Sequence, residues 1–211
     1  MKYNYIAIEG NIGAGKTSLT KMISEQFNAK LILEQFADNP FLPKFYENPS
    51  KYAFALELSF VAERYKQLTE QLYNQDLFKS FTISDYFINK SLIFAQKTLE
   101  KEEFSLFVKL FTIIYTNIPK PDLFVFLHVE IERLLFNISK RGRDYEQNIS
   151  REYLEKIHQG YMDFIKQQPQ MRILIIDINK LDFVNNKEDF QLLISTINQD
   201  YPIGLTRVSL K

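Results

Sequence analysis

The feature that most constrains the fold of this chain lies near its start, where three of its six glycines fall within six consecutive residues. Residues 10–17 read GNIGAGKT and match the pattern G-x-x-x-x-G-K-[ST] at every fixed position. An apolar run at residues 5–9 (YIAIE) precedes this segment, and a helical pattern at residues 16–27 follows it. In a loop between strand and helix, successive backbone N–H groups can surround phosphate oxygens, and glycine tolerates the dihedral angles required. The motif therefore predicts an α/β domain with a phosphate-binding loop.

Four further runs of β-branched, aromatic and leucine residues predict the remaining strands, at residues 30–33, 81–84, 123–129 and 172–176. Several are apolar at consecutive positions, which is typical of strands covered on both faces. Helical patterns separate them, at residues 52–73, 86–99, 102–117, 131–140, 150–167 and 187–199. This alternation predicts a three-layer α/β fold of the P-loop NTPase class, with a five-stranded parallel sheet flanked by helices. No Pro/Gly-rich linker interrupts the pattern, so we expect a single domain over residues 1–211.

The composition argues against several classes of protein. The 26 basic and 26 acidic residues give a formal net charge of zero, whereas proteins that coat nucleic acids or membrane surfaces usually carry a basic excess. The chain has no cysteine, which excludes disulfides and cysteine zinc sites and fits a reducing compartment. No apolar run approaches the 18 residues of a membrane span, and the first run is too short for a signal peptide. We expect a cytoplasmic protein that acts on small molecules.

The glycine-rich loop predicts binding of ATP or GTP together with Mg²⁺. The first helix adds the positive end of its dipole. Lys16 is expected to reach the β- and γ-phosphates, and Thr17 to offer its hydroxyl to the metal. The predicted nucleotide-binding residues of this segment are Gly10, Asn11, Ile12, Gly13, Ala14, Gly15, Lys16, Thr17 and Ser18.

A second motif suggests a GTPase, because residues 179–182 read NKLD and match the guanine-recognition pattern N-K-x-D. A GTPase switch also needs D-x-x-G. The residues three positions before the later glycines are Ser139, Ile157 and Tyr201. None of them is aspartate, so the chain has no GTPase switch motif after the loop, and the N-K-x-D match does not indicate a GTPase. A motor or transporter ATPase would need a longer chain. A small-molecule kinase remains.

Further landmarks follow the loop in a fixed order. They are Glu34, residues 38–42 (DNPFL), 46–49 (YENP) and 52–54 (YAF), Asp85, residues 141–147 (RGRDYEQ), Asp177, Asp182 and Phe183. In these residues the chain resembles the deoxynucleoside kinase family, in particular its bacterial purine deoxynucleoside branch. The resemblance implies transfer of phosphate from ATP, with Mg²⁺, to the 5′-hydroxyl of a deoxynucleoside in nucleotide salvage. It also implies a homodimer formed through helices.

The resemblance assigns roles around the reacting groups. Glu34, after the second strand, becomes the base that takes the proton of the 5′-hydroxyl, which suits the strand-end position of ligand sites in α/β sheets. A short lid at about residues 139–149 supplies Arg141 and Arg143, whose guanidinium groups can meet the charge on a transferring phosphoryl group. With Lys16 these form the predicted catalytic set. Asp182 and Phe183 match the loop over the ATP adenine.

The same resemblance predicts the substrate and metal residues. Glu146 and Tyr46 match the pair that holds the sugar 3′-hydroxyl. Glu57 and Arg64 lie seven residues apart on the long helix and match the base-reading face, although a solvated charge pair is an alternative. Asp85 is expected beside Thr17 and the Mg²⁺, unless it caps the following helix. The predicted substrate-binding residues are Glu34, Tyr46, Glu57, Arg64, Asp85, Tyr86 and Glu146.

Four positions depart from the family pattern. Tyr86 and Asn137 each replace an arginine of the family pattern, Glu57 replaces a glutamine, and Ser91 replaces an aspartate. Lys140 and Arg133 are candidates to replace the lost cations. An ionised carboxylate at position 57 only accepts hydrogen bonds, which suits the N1–H and 2-amino donors of guanine. We therefore expect a guanine-leaning acceptor site.

Two other functions stay open from the sequence. A nucleoside monophosphate kinase related to thymidylate kinase would need extra cations for the acceptor phosphate, and the long helix offers only Arg64 and Lys66. A nucleotide-binding regulator with weak kinase activity would account for the four departures. His128 and His158 are isolated in the sequence, and we expect structural roles for both.

Overall fold

A computed structural model describes residues 1–35, 39–74, 76–146 and 149–210. Within these ranges one sheet of six parallel strands runs through the molecule in the order β2-β3-β1-β4-β5-β6. The strands are β1 (Tyr5–Gly10), β2 (Lys30–Ile32), β3 (Thr82–Ser84), β4 (Leu123–His128), β5 (Arg172–Asp177) and β6 (Gly204–Ser209). The three-layer parallel α/β prediction is confirmed.

The predicted number of strands was wrong, because β6 adds a sixth strand at the edge beside β5. Its sequence, GLTRVS, alternates between half-buried and exposed side chains. An edge strand of this kind has no continuous apolar run, which was the pattern used to recognise the five other strands.

The described residues form eight α-helices. They are α1 (Lys16–Phe27), α2 (Leu42–Glu47), α3 (Pro49–Tyr73), α4 (Asn89–Thr98), α5 (Lys101–Tyr115), α6 (Ile131–Arg141), α7 (Arg151–Lys166) and α8 (Lys187–Ile197). The short helix α2 was not predicted. Ser150 caps the N-terminus of α7, since its hydroxyl accepts a hydrogen bond from the Tyr153 amide at 3.1 Å.

Alternate side chains of the central strands enter two separate cores. Ile6 and Ile8 of β1 pack in a core with α1, α6 and α8, whereas Tyr5 and Ala7 pack in a core with α3, α4, α5 and α7. All six side chains of β1 are buried. Burial on both faces explains why this strand reads as a continuous apolar run.

The helix α4 begins later than predicted, at Asn89 rather than Tyr86. The preceding residues are held by contacts across the sheet. The Phe87 amide donates to the buried carboxylate of Glu9 at 2.8 Å, and the Tyr161 hydroxyl donates to the same carboxylate at 2.8 Å. These contacts fix the connection between β3 and α4, which borders the candidate site.

The parallel strands place their carboxyl ends at one edge of the sheet, where ligands of α/β proteins bind. The phosphate loop follows β1, Glu34 follows β2 and Asp85 follows β3. No helix in the described ranges is long and apolar enough to cross a membrane.

Candidate active site

The phosphate loop has the backbone that its glycines predict. Gly13 and Gly15 both have a φ of +83°, in the region that favours glycine. A Cβ on Gly13 would lie 2.9 Å from the Leu134 carbonyl oxygen, and a Cβ on Gly15 would lie 2.9 Å from the Phe183 ring. Any larger side chain would therefore displace α6 or the loop that carries Phe183.

The lysine of the loop lies across the loop itself. The Lys16 ammonium donates to the carbonyl oxygens of Gly10 and Asn11, each at 2.9 Å. Burial lowers the pKa of Lys16 to about 8, and the charge of Lys90 adds to this effect. Lys16 thus forms a positive centre where the loop would receive phosphate oxygens.

The other loop residues support this arrangement. The buried Asn11 side chain donates to the Leu154 carbonyl at 2.8 Å and accepts from the Ile12 amide at 2.8 Å. Ala14 is buried and its amide donates to the Asn11 carbonyl at 3.2 Å. Ser18 is exposed in the first turn of α1.

Thr17 and Asp85 meet as predicted for a metal site. The Thr17 hydroxyl donates to Asp85 Oδ2 at 2.5 Å, and the Glu34 amide donates to Asp85 Oδ1 at 2.7 Å. Asp85 does not cap α4, whose N-cap residue is Ile88. A hydroxyl beside a carboxylate provides hard oxygen ligands of the kind that Mg²⁺ binds together with water and phosphate.

Glu34 lies between two cations, and its side chain is only 10% exposed. Arg64 contacts Oε1 through Nε, at 2.9 Å, and through Nη2. Lys90 contacts Oε2. Burial favours the neutral acid, but the charges of Lys90 and Arg64 outweigh it and hold the pKa of Glu34 at about 2.

Lys90 was missed by the sequence analysis. The signal that could have found it is a single lysine in the otherwise apolar segment YFINKSLIFA, at residues 86–95. A lysine at such a position is buried only at a cost unless it has a charged partner. Ser91, the next residue, accepts a hydrogen bond from Arg64 Nη1 at 2.6 Å, so its hydroxyl helps to orient the guanidinium group.

Glu57 lies in the same cleft but in a different environment. It is 2% exposed, and its Oε1 accepts from the Thr98 hydroxyl at 3.0 Å. Within the described residues, Glu57 Oε2 has no hydrogen-bond partner. Burial raises the pKa of Glu57 to about 7, against the opposing charge of Arg64.

Glu57 and Arg64 share a face of α3 as predicted, but Arg64 pairs with Glu34. The solvated charge pair is therefore absent, because both side chains are buried. The Arg64 guanidinium carbon also lies 4.7 Å from the centre of the Phe60 ring.

The lid brings its predicted residues together. Arg141, at the end of α6, and Arg143 both form ion pairs with Glu146, the second through Nη1 at 3.1 Å. The Glu146 side chain is 7% exposed, whereas those of the two arginines are about one-third exposed. Gln147, which belongs to the lid motif, lies outside the described residues, as does Asp38 of the earlier landmark.

Tyr46 lies on α2, beside the lid. Its ring stacks on that of Tyr145 with centroids 6.2 Å apart. Burial raises the pKa of Tyr46, and the nearby charge of Glu146 adds to this effect. The predicted pair of a phenol and a carboxylate is therefore brought together at one side of the cleft.

One predicted substrate residue, Tyr86, does not line the cleft. Its side chain is fully buried in the core formed with α3, α4, α5 and α7, and its hydroxyl donates to Gln67 Oε1 at 2.6 Å. A large aromatic ring in this position gains more from core packing than a cation would, which explains its location.

Arg133, a candidate replacement cation, and Asn137, one of the four departures from the family pattern, both make contacts within the protein. Arg133 donates to the carbonyl oxygens of Ile178, Asn179 and Leu181, so its guanidinium is committed to the loop after β5. Asn137 donates to the Gly13 carbonyl at 2.9 Å. The Asn137 contact joins the phosphate loop to α6, and the Arg133 contacts join α6 to the loop after β5.

The predicted adenine loop has one buried and one exposed residue. Phe183 is 5% exposed and lies against Gly15, whereas Asp182 is exposed and accepts hydrogen bonds from the Asn185 side chain. The segment that carries both residues therefore lies beside the phosphate loop. The two histidines, His128 and His158, lie with ring centroids 5.2 Å apart and outside the cleft.

The residues described above line one cleft, which is partly open to solvent. The predicted residues that line it are Gly13, Ile12, Lys16, Thr17, Glu34, Tyr46, Glu57, Arg64, Asp85, Arg141, Arg143 and Glu146. Lys90, Phe94 and Tyr153 also contribute to its wall. One end of the cleft therefore offers a loop for phosphate oxygens. The other end is a partly apolar pocket that contains the carboxylates of Glu34 and Glu57.

Comparisons with known proteins agree with this geometry. The chain is 38% identical over 200 residues to the deoxyguanosine kinase of Bacillus subtilis (strain 168), covering 92% of this chain and 96% of that protein. It is 29% identical over 206 residues to the deoxyadenosine/deoxycytidine kinase of the same organism, covering 93% and 92% of the two chains. It is also similar to the structure of deoxyadenosine kinase from M. mycoides with bound dATP, with a TM-score of 0.80 and 25% identity over 92% of this chain and 100% of that chain.

The family model described as deoxynucleoside kinase matches residues 6–201, which include the phosphate loop, Glu34, Glu57 and the lid. The landmarks that suggested this family from the sequence are therefore supported over nearly the whole chain. The protein belongs to the deoxynucleoside kinase family.

Proposed function

We propose that this kinase transfers the γ-phosphoryl group of ATP, with Mg²⁺, to the 5′-hydroxyl of deoxyguanosine in preference to other deoxynucleosides. The observation that carries the base preference is the buried Glu57 carboxylate, whose Oε2 has no hydrogen-bond partner among the described residues. A deoxynucleoside substrate and kinase activity are properties that the family itself supports.

The proposed reaction uses the residues around Glu34. The 5′-oxygen forms a bond to the γ-phosphorus while the bond from the γ-phosphorus to the bridging oxygen breaks, and the hydroxyl proton passes to Glu34. Lys16, Arg141 and Arg143 are positioned to stabilise negative charge on the phosphoryl oxygens. Thr17 and Asp85 would hold Mg²⁺, which neutralises charge on the donor phosphates when bound.

The proposed sugar contacts are those of Tyr46 and Glu146. Glu146 forms ion pairs with Arg141 and Arg143, which orient its carboxylate from the lid. A phenol and a carboxylate can bind a 3′-hydroxyl as donor and acceptor. A dideoxynucleoside would lack both of these hydrogen bonds, and we expect it to be a poor substrate.

The proposed guanine preference follows from the chemistry of Glu57. An ionised carboxylate offers only acceptors, and guanine presents two adjacent donors, N1–H and the 2-amino group. A buried acceptor without a partner is costly, so a ligand that donates to it recovers that cost. The similarity to a deoxyguanosine kinase supports the same preference.

A nucleoside monophosphate kinase is the less supported alternative. A probable thymidylate kinase of Methanococcus maripaludis (strain C7 / ATCC BAA-1331) is 26% identical over 183 residues, which is a more distant similarity. In the acceptor part of the cleft, Arg64 and Lys90 both pair with Glu34. Glu34 balances one of these two positive charges and Glu57, when ionised, balances the other, which favours a neutral nucleoside over a charged monophosphate.

We also propose that the protein is a cytoplasmic homodimer. Leu106, Leu110 and Ile113 form an exposed apolar stripe along α5, with 49%, 39% and 71% of their side-chain surface accessible. A contiguous apolar surface of this kind is typical of an interface between chains. The single chain has a mass of 25.0 kDa, so light scattering should give about twice this mass, following the closed two-fold symmetry common among oligomers. ATP is available in the cytoplasm, which fits the proposed donor.

A panel assay tests the proposed function. ADP release would be measured with each of the four deoxynucleosides and their monophosphates as acceptors, with ATP or GTP as donor. We expect the highest kcat/KM with ATP and deoxyguanosine. Turnover of a monophosphate alone would support the alternative kinase. A rise in Tm with ATP but no turnover of any acceptor would indicate a nucleotide-binding regulator instead.

A further inference from the structure

The surroundings of Glu34 contain a cation that none of the predicted roles includes. We propose that Lys90 is a positioning residue for phosphoryl transfer, which orients the Glu34 carboxylate so that Oε2 accepts the proton of the 5′-hydroxyl. This inference rests on the proposed function, because it concerns how the same reaction is carried out.

The two oxygens of Glu34 have different partners. Arg64 donates to Oε1 from both Nε and Nη2, whereas Lys90 is the one donor to Oε2 among the residues that the structure describes. A carboxylate oxygen can accept two hydrogen bonds, so Oε1 is filled and Oε2 keeps one free acceptor position with respect to these cations. Oε2 is therefore the oxygen that can receive a hydroxyl proton, and Lys90 determines where that oxygen lies.

The two cations also differ in mobility. The Arg64 guanidinium is a rigid plane that donates two bonds to one oxygen, whereas an ammonium group at the end of a flexible stem can move without losing its charge contact. Arg64 is further fixed by its bond to Ser91. We infer that Arg64 anchors Glu34 while Lys90 yields enough room at Oε2 for the hydroxyl group.

The start of α4 fixes the position from which Lys90 reaches Glu34. Lys90 is the second residue of α4, directly after the segment held by the contact between Phe87 and Glu9. Its side chain is 9% exposed, and its ammonium lies 5.6 Å from the centre of the Phe94 ring, one turn further along the helix. The lysine is thus held between an apolar wall and its carboxylate partner.

The charge of Lys90 also reaches the phosphate loop, where it contributes to the lowered pKa of Lys16. The test has to distinguish the effect of Lys90 on Glu34 from the effects of the other charged groups nearby. Those groups are Lys16 from the phosphate loop, Arg64 and Glu57 from α3, Asp85 after β3 and the buried Glu9 of β1.

The test compares Lys90→Met, which keeps the side-chain length but removes the charge, with Lys90→Arg. Lys97→Met is the matched control, since Lys97 lies on the same helix and contacts Asp163 at 3.7 Å outside the cleft. For each variant, kcat and KM for deoxyguanosine and ATP would be measured from pH 5 to pH 9. Thermal unfolding with and without ATP would show that the variants are folded.

We expect Lys90→Met to lower kcat about 100-fold, the lower end of the contribution of a general base, with KM for deoxyguanosine changed less than about threefold. Lys90→Arg should recover at least about tenfold of the loss, and Lys97→Met should stay within about twofold of the parent enzyme.

A double variant separates positioning from a general loss of structure. In a Glu34→Gln background the carboxylate is already absent, so Lys90→Met should cause no more than about a threefold further loss. A full additive loss would overturn the inference, as would a Lys90→Met enzyme with unchanged kcat. If Lys90→Met does not fold, Lys90→Gln takes its place, and kcat and KM decide by the same criteria. Absence of deoxynucleoside turnover in the parent enzyme would instead refute the proposed function.

Discussion

Two carboxylates in one cleft have opposite pKa shifts. The charges of Lys90 and Arg64 hold the pKa of Glu34 at about 2 against the effect of burial, whereas burial raises the pKa of Glu57 to about 7. Carboxyl groups whose surroundings separate their pKa values in this way have different tasks. A carboxylate with such a low pKa is a weak base, so Glu34 would act mainly by orienting the hydroxyl and receiving its proton late in the transfer.

The pKa of Glu57 leads to a prediction about base preference. Below about pH 7 Glu57 is neutral, with one donor and one acceptor that can pair with adenine, and above about pH 7 it is ionised and favours guanine. The ionised fraction rises about tenfold from pH 6 to pH 8. The ratio of kcat/KM for deoxyguanosine to that for deoxyadenosine should rise at least about tenfold over this interval.

Glu57→Gln is the control, because its amide does not titrate and the ratio should become independent of pH. The groups that face Glu57 are Arg64 of α3, Thr98 and Lys90 of α4, Glu34 after β2, Tyr46 of α2 and Tyr153 of α7. A ratio that is constant with pH in the parent enzyme, or that changes equally in Glu57→Gln, would contradict the role of Glu57.

At the scale of elements, the phosphate loop depends on its contact with α6. Gly13→Ala combines an unfavourable φ with a clash against the Leu134 carbonyl oxygen, which is backbone and cannot move aside easily. We expect a loss of about 1–3 kcal/mol in the free energy of unfolding. The rise in Tm that ATP causes in the parent protein should also be lost, because the loop amides are displaced.

Gly204→Ala is the matched control for this prediction. Gly204 also has a positive φ, but a Cβ there meets no atom within 4 Å, and it lies at the start of the edge strand β6. This variant should lose stability and keep its response to ATP. An undiminished ATP response in Gly13→Ala would show that the loop does not need this contact with α6.

Elements with a local signal could be predicted from the sequence. The buried strands read as continuous apolar runs, and the phosphate loop is encoded in eight consecutive residues. The strand β6 has exposed alternate positions, and α2 spans only six residues, so neither carries a strong pattern. The start of α4 was misplaced because Asp85 and Phe87 are held by contacts with α1 and β1, which spacing does not reveal.

The same distinction applies to the site. The lid arginines and Glu146 were recognised from one segment of seven residues, and the structure joins them in ion pairs that were not predicted. The contact of Lys90 with Glu34 joins residues 56 positions apart, and the packing of Tyr86 in the core depends on α3, α4, α5 and α7. Such contacts follow from the crossing of helices over the sheet and need the three-dimensional structure.

At the scale of the whole molecule, a formal net charge of zero hides a strongly charged cleft. Lys16, Arg141 and Arg143 surround the phosphate end, while Glu34 and Glu57 lie in the acceptor end. At the phosphate end these three cations outnumber the carboxylates of Glu146 and Asp85, whereas at the acceptor end Glu34 and ionised Glu57 balance Arg64 and Lys90. This division is the central claim of the proposed function, because it lets a phosphoryl group pass to a neutral nucleoside.

Identification of the products in a reaction with ATP, Mg²⁺ and deoxyguanosine tests this claim most directly. Chromatography with mass detection should show deoxyguanosine 5′-monophosphate and ADP in equal amounts, and Glu34→Gln should form both at least about 100-fold more slowly. ADP formed without the monophosphate, or a Glu34→Gln enzyme as fast as the parent, would contradict the account.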